Sequence, residues 1–296
     1  MEVTLLGTSS MIPTAERNHS GSLLSYKNEK ILVDCGEGIQ RQFRKAKISP
    51  TKITRILITH WHGDHVLGLP GLMLTLAANN YNKTLQIYGP KGTKNNIKKM
   101  FDFFILRNIV KYKITEVEEG TFFEDDIFIL EVLPLEHGVK TLAYAFTEKD
   151  RRKINMDYLR KKDVTAGPVI KDLQKGKDII VNGNKIKAKD ATTLVKGKKV
   201  AFVSDTRKCP NAVKIAKNAD ILICESTYLH ELKEQAKERG HMSAKEAAQV
   251  AKQAKVKKLI LTHFSQRYKN VKVLEDEARV TFKNVIAGKD LMEIVL

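Results

Sequence analysis

The chain of 296 residues carries 52 Lys and Arg against 34 Asp and Glu, a formal net charge of +18, and 42% of it is hydrophobic. That is enough chain for one large domain, or one domain with a sizeable insertion, and enough apolar residues for a core, which excludes a wholly disordered chain. No stretch approaches the roughly 18 consecutive apolar residues of a membrane-spanning helix. The start MEVTLLGTSS lacks the basic segment and long apolar run of a secretory signal, so a soluble cytoplasmic protein without a membrane partner is expected. The three cysteines, Cys35, Cys209 and Cys224, are scattered and odd in number, unlike a disulfide framework or a Cys-x-x-Cys clip, and are expected as reduced core residues. The charge excess points to a polyanion (nucleic acid, anionic membrane or acidic substrate) or to a lysine-rich solubility or thermostability device.

In chain order, VTLLG, SLLSY, KILVDCG and ITRILITH are short apolar runs bounded by polar or turn residues, which predicts strands. GLPGLMLTLAANN has the longer helical period, LQIYG is a strand, GTKNNIKKMFDFFI a helix and FILEVLPL a strand. After a basic stretch come the strand KVAFVSD, the helix PNAVKIAKNA, the strand DILICES and the helix YLHELKEQAKERG. SAKEAAQVAKQA follows as a helix whose Ser243 and Glu246 form a capping-box start, and then the strand KKLILTHF. Strands and helices interleaved along one chain predict an α/β layered domain whose sheet need not be all parallel.

Between Glu148 and Lys199 there are 16 Lys and Arg against 7 Asp and Glu, a net +9, so half of the excess lies in 52 residues. Here EKDRRKINMDYLRKKD reads as a short basic helix, TAGPVIKDLQKG as a Gly/Pro-punctuated turn region, and IIVNGNKIKAKD as an Asn-Gly hairpin. The whole reads as an insertion protruding from the core, the plain alternative being a solvated surface helix and loop with no ligand.

The chemistry concentrates in His60-Trp61-His62-Gly63-Asp64-His65, directly after a predicted strand. Three imidazoles and a carboxylate within six residues supply the nitrogen and oxygen donors that Zn²⁺ accepts, and one such cluster can serve two ions. His60 and His62 project to one side of an extended backbone, while Gly63 permits the turn that sends Asp64 and His65 elsewhere. His137, Asp205 and His263 each sit where a predicted strand runs into its loop. Strand ends converge on one sheet edge, and an aspartate such as Asp205 can bridge two ions through its two oxygens.

The HxHxDH cluster with the later His, Asp and His resembles the metallo-β-lactamase-fold hydrolases over nearly the full chain. Within that superfamily the chain is similar to the ribonuclease Z family of tRNA 3′-processing endonucleases. The likeness is carried by LLGTSSMIPTAERNHSGSLL, LVDCGEGIQRQF, Ser204-Asp205-Thr206, Glu225 in Cys224-Glu225-Ser226-Thr227, His241 in Gly240-His241-Met242-Ser243, and the basic insertion. The resemblance implies an αββα sandwich of one domain over 1–296 with a protruding basic flexible arm at 148–190, a tRNA-binding exosite. It implies two Zn²⁺ per subunit: His60, His62 and His137 on one, Asp64, His65 and His263 on the other, with Asp205 bridging. It further implies a homodimer and a precursor tRNA substrate whose 3′ trailer is removed, leaving a 3′-hydroxyl on the tRNA and a 5′-phosphate on the trailer.

Asp64 is then expected to orient and deprotonate the attacking water, and His241, held by Glu225, to protonate the departing 3′ oxygen. Asp34 to Gly38 is expected to support a ligating histidine. Arg17 and Asn18 are expected at the acceptor end, and Arg151, Arg152, Lys153, Arg160, Lys161, Lys162, Gly167, Pro168, Lys171 and Lys175 on the tRNA body, reading shape and charge. Two alternatives stand beside this one: a thioesterase- or lactamase-type small-molecule hydrolase of the same fold, and a non-catalytic metal-bearing RNA-binding protein.

Overall fold

The computed structural model describes residues 1–106, 110–164, 167, 170–181 and 183–296. They form two compact units: Met1–Phe123, Leu130–Phe146 and Lys199–Leu296 in the first, Glu124–Ile129 and Thr147–Lys198 in the second. The strands in chain order are β1 (Glu2–Gly7), β2 (Gly21–Tyr26), β3 (Glu29–Val33), β4 (Arg55–Leu57), β5 (Leu85–Gly89), β6 (Tyr112–Glu116), β7 (Gly120–Glu124), β8 (Phe128–Leu135) and β9 (Thr141–Glu148). There follow β10 (Arg151–Ile154), β11 (Ile179–Val181), β12 (Asn184–Ile186), β13 (Thr192–Val195), β14 (Lys199–Val203), β15 (Ile221–Glu225), β16 (Lys258–Thr262), β17 (Val285–Ala287) and β18 (Glu293–Val295).

Two seven-stranded sheets result, ordered β18-β1-β2-β3-β4-β5-β6 and β17-β16-β15-β14-β9-β8-β7. In the first, β18, β1, β2 and β3 pair antiparallel while β3 to β6 run parallel. In the second, β14 to β17 run parallel, so the chain leaves β14, β15 and β16 at one common edge. Every residue of β15 is buried, the pattern of a strand covered on both faces.

The outer face of the first sheet carries the helices Ile39–Lys45, Leu69–Ala78 and Thr93–Phe103, whose Phe43, Leu72, Met73 and Ile97 pack on Leu32, Ile56 and Ile87. The outer face of the second carries Pro210–Ala216, Ala244–Gln253 and Lys272–Thr281, which bury Ile215, Leu274 and Ala278 against Ala201, Leu222 and Leu259. Ala244, Ala247, Ala248 and Ala251 line the buried face of the middle helix, and their small side chains let it lie close to the sheet. Its start is the expected capping box: Ser243 accepts from the Glu246 amide and Glu246 from the Ser243 amide.

Between the sheets lies an aromatic interior. Tyr26 meets Phe146 edge-on at 5.2 Å, and Phe122 lies 4.9 Å from Tyr88 and 5.8 Å from Tyr144. The Tyr144 hydroxyl donates to the Ile58 carbonyl (2.8 Å), and the Leu142 amide to the Thr59 carbonyl (3.0 Å). The layers are thus helices, sheet, sheet, helices: an αββα sandwich, as expected.

All the strands expected from apolar runs form; β9 forms as well, on the buried apolar run Leu142 to Phe146, while β6, β7, β17 and β18 have no such run to announce them. β6 has no buried residue and is held through pairing with β5, while β18 reaches β1 across nearly the whole chain. The second unit has a small core of its own, including Leu159, Leu173, Ile179 and Ile186. The basic helix expected over residues 148–163 is corrected here. Arg151–Ile154 alternates between exposed and half-buried and pairs antiparallel with Thr192–Val195, and the helix begins only at Met156, where the Asn155 side chain caps the Tyr158 amide. Within the expected turn region Ile170–Gln174 is a short helix. β11 and β12 pair antiparallel as the expected hairpin; its Asn182, like Pro168, lies outside the described residues. Among the described residues no helix is long and apolar enough to cross a membrane.

Because Ile58 lies two residues before His60, the Tyr144 hydroxyl braces the backbone that presents the first ligands. Tyr144→Phe leaves that buried carbonyl short of a donor and is expected to cost about 1–3 kcal/mol, read as a lower urea midpoint at unchanged m-value.

Candidate metal centre

Each residue of the donor sets follows the carboxyl end of a strand, His60 to His65 after β4, His137 after β8, Asp205 after β14 and His263 after β16, while Glu225 closes β15 and His241 follows the helix Lys233–Glu238. Buried strands hold the backbone rigid up to these points. Asp34, after β3, and His263 both adopt left-handed backbone (φ 61° and 60°), a strain that persists only where surrounding contacts impose it.

Two donor groups converge. His60 Nε2 lies 3.1 Å from His62 Nδ1, which lies 3.2 Å from His137 Nε2. On the other side His65 Nε2 lies 3.4 Å from His263 Nε2, and Asp64 Oδ2 lies 3.3 Å from each. Asp205 stands between them. Its Oδ2 is 3.6 Å from His60 Nε2 and 3.9 Å from His137 Nε2, and its Oδ1 is 3.5 Å from His65 Nε2 and 3.2 Å from His263 Nε2.

The outer hydrogen bonds decide what these nitrogens are. His137 Nδ1 donates to the Gly240 carbonyl (2.8 Å) and His65 Nδ1 to the Asp34 carboxylate (2.7 Å). The Thr59 hydroxyl donates a hydrogen bond to Asp34 and the Thr227 hydroxyl donates one to Glu225, so each accepts from a histidine: His60 Nδ1 and His263 Nδ1, both at 3.0 Å. With four Nδ1 atoms protonated, four Nε2 lone pairs point inward at one another and at carboxylate oxygens. Asp64 Oδ1 is buried without a hydrogen-bond partner among the described residues. Bare lone pairs at such separations repel unless cations lie between them, so the donor sets His60-His62-His137-Asp205 and Asp64-His65-Asp205-His263 fit two nitrogen- and oxygen-preferring divalent ions.

The electrostatics agree. Burial, reinforced by His65, pushes the His60 pKa well below its ordinary value, and burial with His137 lowers that of His62, so both rings are neutral ligands. Burial would raise Asp205 and Asp64, but the surrounding histidines, His263 foremost, hold both carboxyls down. Burial would lower His65, yet Asp205 and Asp34 push it up; the proton it holds is the one a cation replaces.

His241 and Glu225 stand beside these sets. Glu225 is fully buried and each of its oxygens is used: Oε1 accepts from the Thr206 amide (2.9 Å) and His241 Nδ1 (3.0 Å), Oε2 from the Thr227 amide (3.2 Å) and hydroxyl (2.7 Å). Although it lies near His241 and His263 as a third potential donor set, its lone pairs are engaged, and it acts as a hub. Burial would lower the His241 pKa, but Glu225, with Asp205 and Asp64 beyond it, pushes it up to about 9. A ring anchored through Nδ1 and charged at neutral pH has Nε2 to offer as a proton donor.

These groups line a cleft of about 480 Å³ that includes His62, Asp64, His137, Asp205, His241 and His263 together with Met11, Ile12, Tyr228, Arg239 and Arg267. Two expected contact residues do not line it. Arg17 is buried and donates from Nη2 to the Tyr268 carbonyl (3.0 Å), and the Asn18 side chain donates to the Glu37 carbonyl (2.7 Å). In the second unit Arg151, Lys153, Arg160, Lys161, Lys162, Gly167, Lys171 and Lys175 are exposed. Arg152 is half-buried, with Nη1 donating to the Thr192 hydroxyl (3.0 Å). Sequence reasoning gives no role to Thr59, or to Thr206, Thr227 and Gly240 within the motifs that contain them, because a hydroxyl or a carbonyl does not announce its partner, and it passes over Arg239 and Arg267, which look like any surface cations.

Two strand-edge donor sets on facing sheets of an αββα sandwich define a metallo-β-lactamase-fold hydrolase. Residues 191–264 match the family model described as beta-lactamase superfamily domain, and residues 1–124 that described as Anti-Pycsar protein Apyc1. The chain is 39% identical over 292 residues to ribonuclease Z of Protochlamydia amoebophila (98% of this chain, 95% of the relative). It is 41% identical over 302 residues to that of Methanothermobacter thermautotrophicus (99% and 96%). Among solved structures, human tRNase Z, short form, superposes with a TM-score of 0.73 at 26% identity, covering 100% of this chain and 99% of that one. The chain belongs to the ribonuclease Z family of metal-dependent endoribonucleases.

Gly240 sits at φ 75°, and a Cβ there would lie 2.6 Å from His137 Nδ1. Gly240→Ala is therefore expected to displace His137 and weaken metal binding by about 10- to 100-fold, measured by titration of the metal-free protein. Because cations bind the folded centre and not the unfolded chain, excess chelator should lower Tm. Restoring the ion to a hundredfold above its Kd should return about 2.7 kcal/mol.

Proposed function

We propose that this chain hydrolyses precursor tRNA at its 3′ side, releasing the trailer with a 5′-phosphate and leaving a 3′-hydroxyl on the tRNA, with two Zn²⁺ per subunit. The observation that carries this reading is the His241–Glu225 pair, a held proton donor outside both donor sets yet in the same cleft, in a chain of this family. His60, His62, His137 and Asp205 would hold one ion, and Asp64, His65, His263 and Asp205 the other. Two divalent ions, when bound, supply charge neutralisation for a phosphorane-like transition state and a water of lowered pKa.

The remaining work belongs to the chain. Asp64 keeps Oδ2 among the histidines and has Oδ1 left over to orient the attacking water and take its proton. His241 protonates the departing 3′ oxygen from Nε2 while Glu225 holds its ring. A departing ribose hydroxyl is a poor leaving group without that proton. Lys161, Lys162, Lys171 and Lys175 of the arm at 148–190 are solvated and suited to phosphate and 2′-hydroxyl contacts along an A-form helix. A cytoplasmic homodimer accompanies this reading, and sedimentation equilibrium tests the dimer. The thioesterase or lactamase alternative accounts for neither the arm's charge nor the His241–Glu225 pair, and a non-catalytic binder leaves Asp64 Oδ1 without a task.

End-labelled precursor tRNA, an unstructured RNA of equal length and bis-p-nitrophenyl phosphate, each with and without chelator, test the proposal. Cleavage confined to the tRNA 3′ side and abolished by chelator is expected; equal cleavage of both RNAs would remove the tRNA assignment. His241→Ala should lower kcat on tRNA by about 10²- to 10⁴-fold but slow the nitrophenyl ester far less, because its leaving group needs no proton. Since the Glu225 carboxylate raises His241, activity should fall as pH rises through the His241 pKa, and Glu225→Gln should move that alkaline limb to lower pH. Reversing Lys161, Lys162, Lys171 and Lys175 to Glu should raise KM for tRNA and flatten its salt dependence, by about 0.7–0.9 in log–log slope per lost phosphate contact. Equal damage to the small ester would make the arm part of the fold.

A further inference from the structure

The centre contains the same device twice. In each, a buried carboxylate holds one histidine directly and a second through a threonine hydroxyl. Asp34 Oδ2 accepts from His65 Nδ1 and from the Thr59 hydroxyl (2.8 Å), Oδ1 accepts from the Thr59 amide (2.8 Å), and the hydroxyl accepts from His60 Nδ1. Glu225 accepts from His241 Nδ1 through one oxygen and from the Thr227 hydroxyl and amide through the other, and that hydroxyl accepts from His263 Nδ1. Thr59, Thr227, Asp34 and Glu225 are at most 3% exposed, so water cannot substitute for any of these partners.

We infer that Thr59 and Thr227 are positioning residues that set how the two cation sites are linked: the Asp34–Thr59 clamp couples the sites to each other, and the Glu225–Thr227 clamp couples one site to the proton donor. A hydroxyl has one proton and two lone pairs. Once the hydroxyl donates its hydrogen bond to the carboxylate, its lone pairs face outward and only a protonated Nδ1 satisfies them, so the hydroxyl fixes both the tautomer and the ring plane. His60 and His65 belong to different donor sets, yet both hang from Asp34. Ordering one set therefore orders the other, and binding of the first ion prepares the second site. His263 belongs to one set only, and its clamp reaches instead to His241. Glu225 also accepts from the amide of Thr206, the residue after the bridging Asp205, which ties the hub to the shared ligand.

This inference rests on reading the two donor sets as cation sites, and its test uses Zn²⁺ alone, with no RNA. Metal-free full-length protein is titrated with Zn²⁺ against a chromophoric chelator, giving two stepwise affinities, and histidine tautomers are read by long-range ¹H–¹⁵N NMR. Thr59→Val should weaken both steps, by about 10- to 100-fold as for lost supports of metal ligands, diminish their cooperativity and release the His60 tautomer. Thr227→Val should weaken one step only and release the His263 tautomer. Thr59→Ser and Thr227→Ser, which keep the hydroxyl, should restore affinity and tautomer. Wild-type affinities in the valine variants, equal losses in valine and serine variants, or both steps weakened by Thr227→Val would each overturn the inference. Should a valine variant not fold, judged by circular dichroism and thermal melting, alanine at the same position supplies the hydroxyl-free comparison. Normal zinc binding with no tRNA cleavage would sink the functional reading and leave this inference standing; altered tRNA cleavage with wild-type zinc binding in Thr59→Val would do the reverse.

Discussion

Five imidazoles and two carboxylates are forced together at the floor of one cleft, and the rest of the structure is arranged around that unfavourable concentration. On four of the five rings, His60, His65, His137 and His263, the outer nitrogen is tied to a carbonyl, a hydroxyl or a carboxylate, so those rings cannot turn that proton inward to relieve the crowding. The protein accepts this cost because divalent cations more than offset it, and the folded chain without them carries a stored demand for positive charge. Metal affinity and folding stability are in this sense one quantity.

Only a stiff frame can maintain such crowding. β14, β15 and β16 run parallel and buried, so Asp205, Glu225 and His263 emerge side by side at one edge. The facing sheet brings His60 to His65 and Asp34 to meet them. The aromatic layer between the sheets, with the Tyr144 hydroxyl on the Ile58 carbonyl, fixes the separation. His241 and the segment of Asp205 are likewise joined, because Glu225 grips both His241 and the Thr206 amide. Chemistry and scaffold therefore share the same hydrogen bonds.

Much of the site is legible in the amino-acid sequence, for a definite reason. His60-Trp61-His62-Gly63-Asp64-His65 is local, and ligands within six residues are brought together by a single turn. His137, Asp205 and His263 can be added because apolar runs show where strands end. The capping box at Ser243 is visible for the same reason, its two halves lying three residues apart. What stays hidden is nonlocal or chemically plain. Arg151–Ile154 looks helical because its strand partner lies some forty residues away. Arg17 and Asn18 look like contact residues, but Arg17 Nη2 donates to the Tyr268 carbonyl and Asn18 Nδ2 to the Glu37 carbonyl, away from the cleft lining. The roles of Thr59, Thr227 and Gly240 are hidden even where a motif contains them, since their importance lies in which histidine they face.

The sequence by itself determined the donor types, their placement at strand ends, the layered α/β class and the concentration of positive charge between residues 148 and 199, because composition and periodicity are properties of neighbouring residues. Tertiary structure alone decided which nitrogen of each histidine points inward, which carboxylate stands in both donor sets and which acts as a hub, and that the two donor sets hang from shared supports. Those are matters of direction between groups as many as about two hundred residues apart. A hydrogen bond has a direction only when both of its ends are fixed in space.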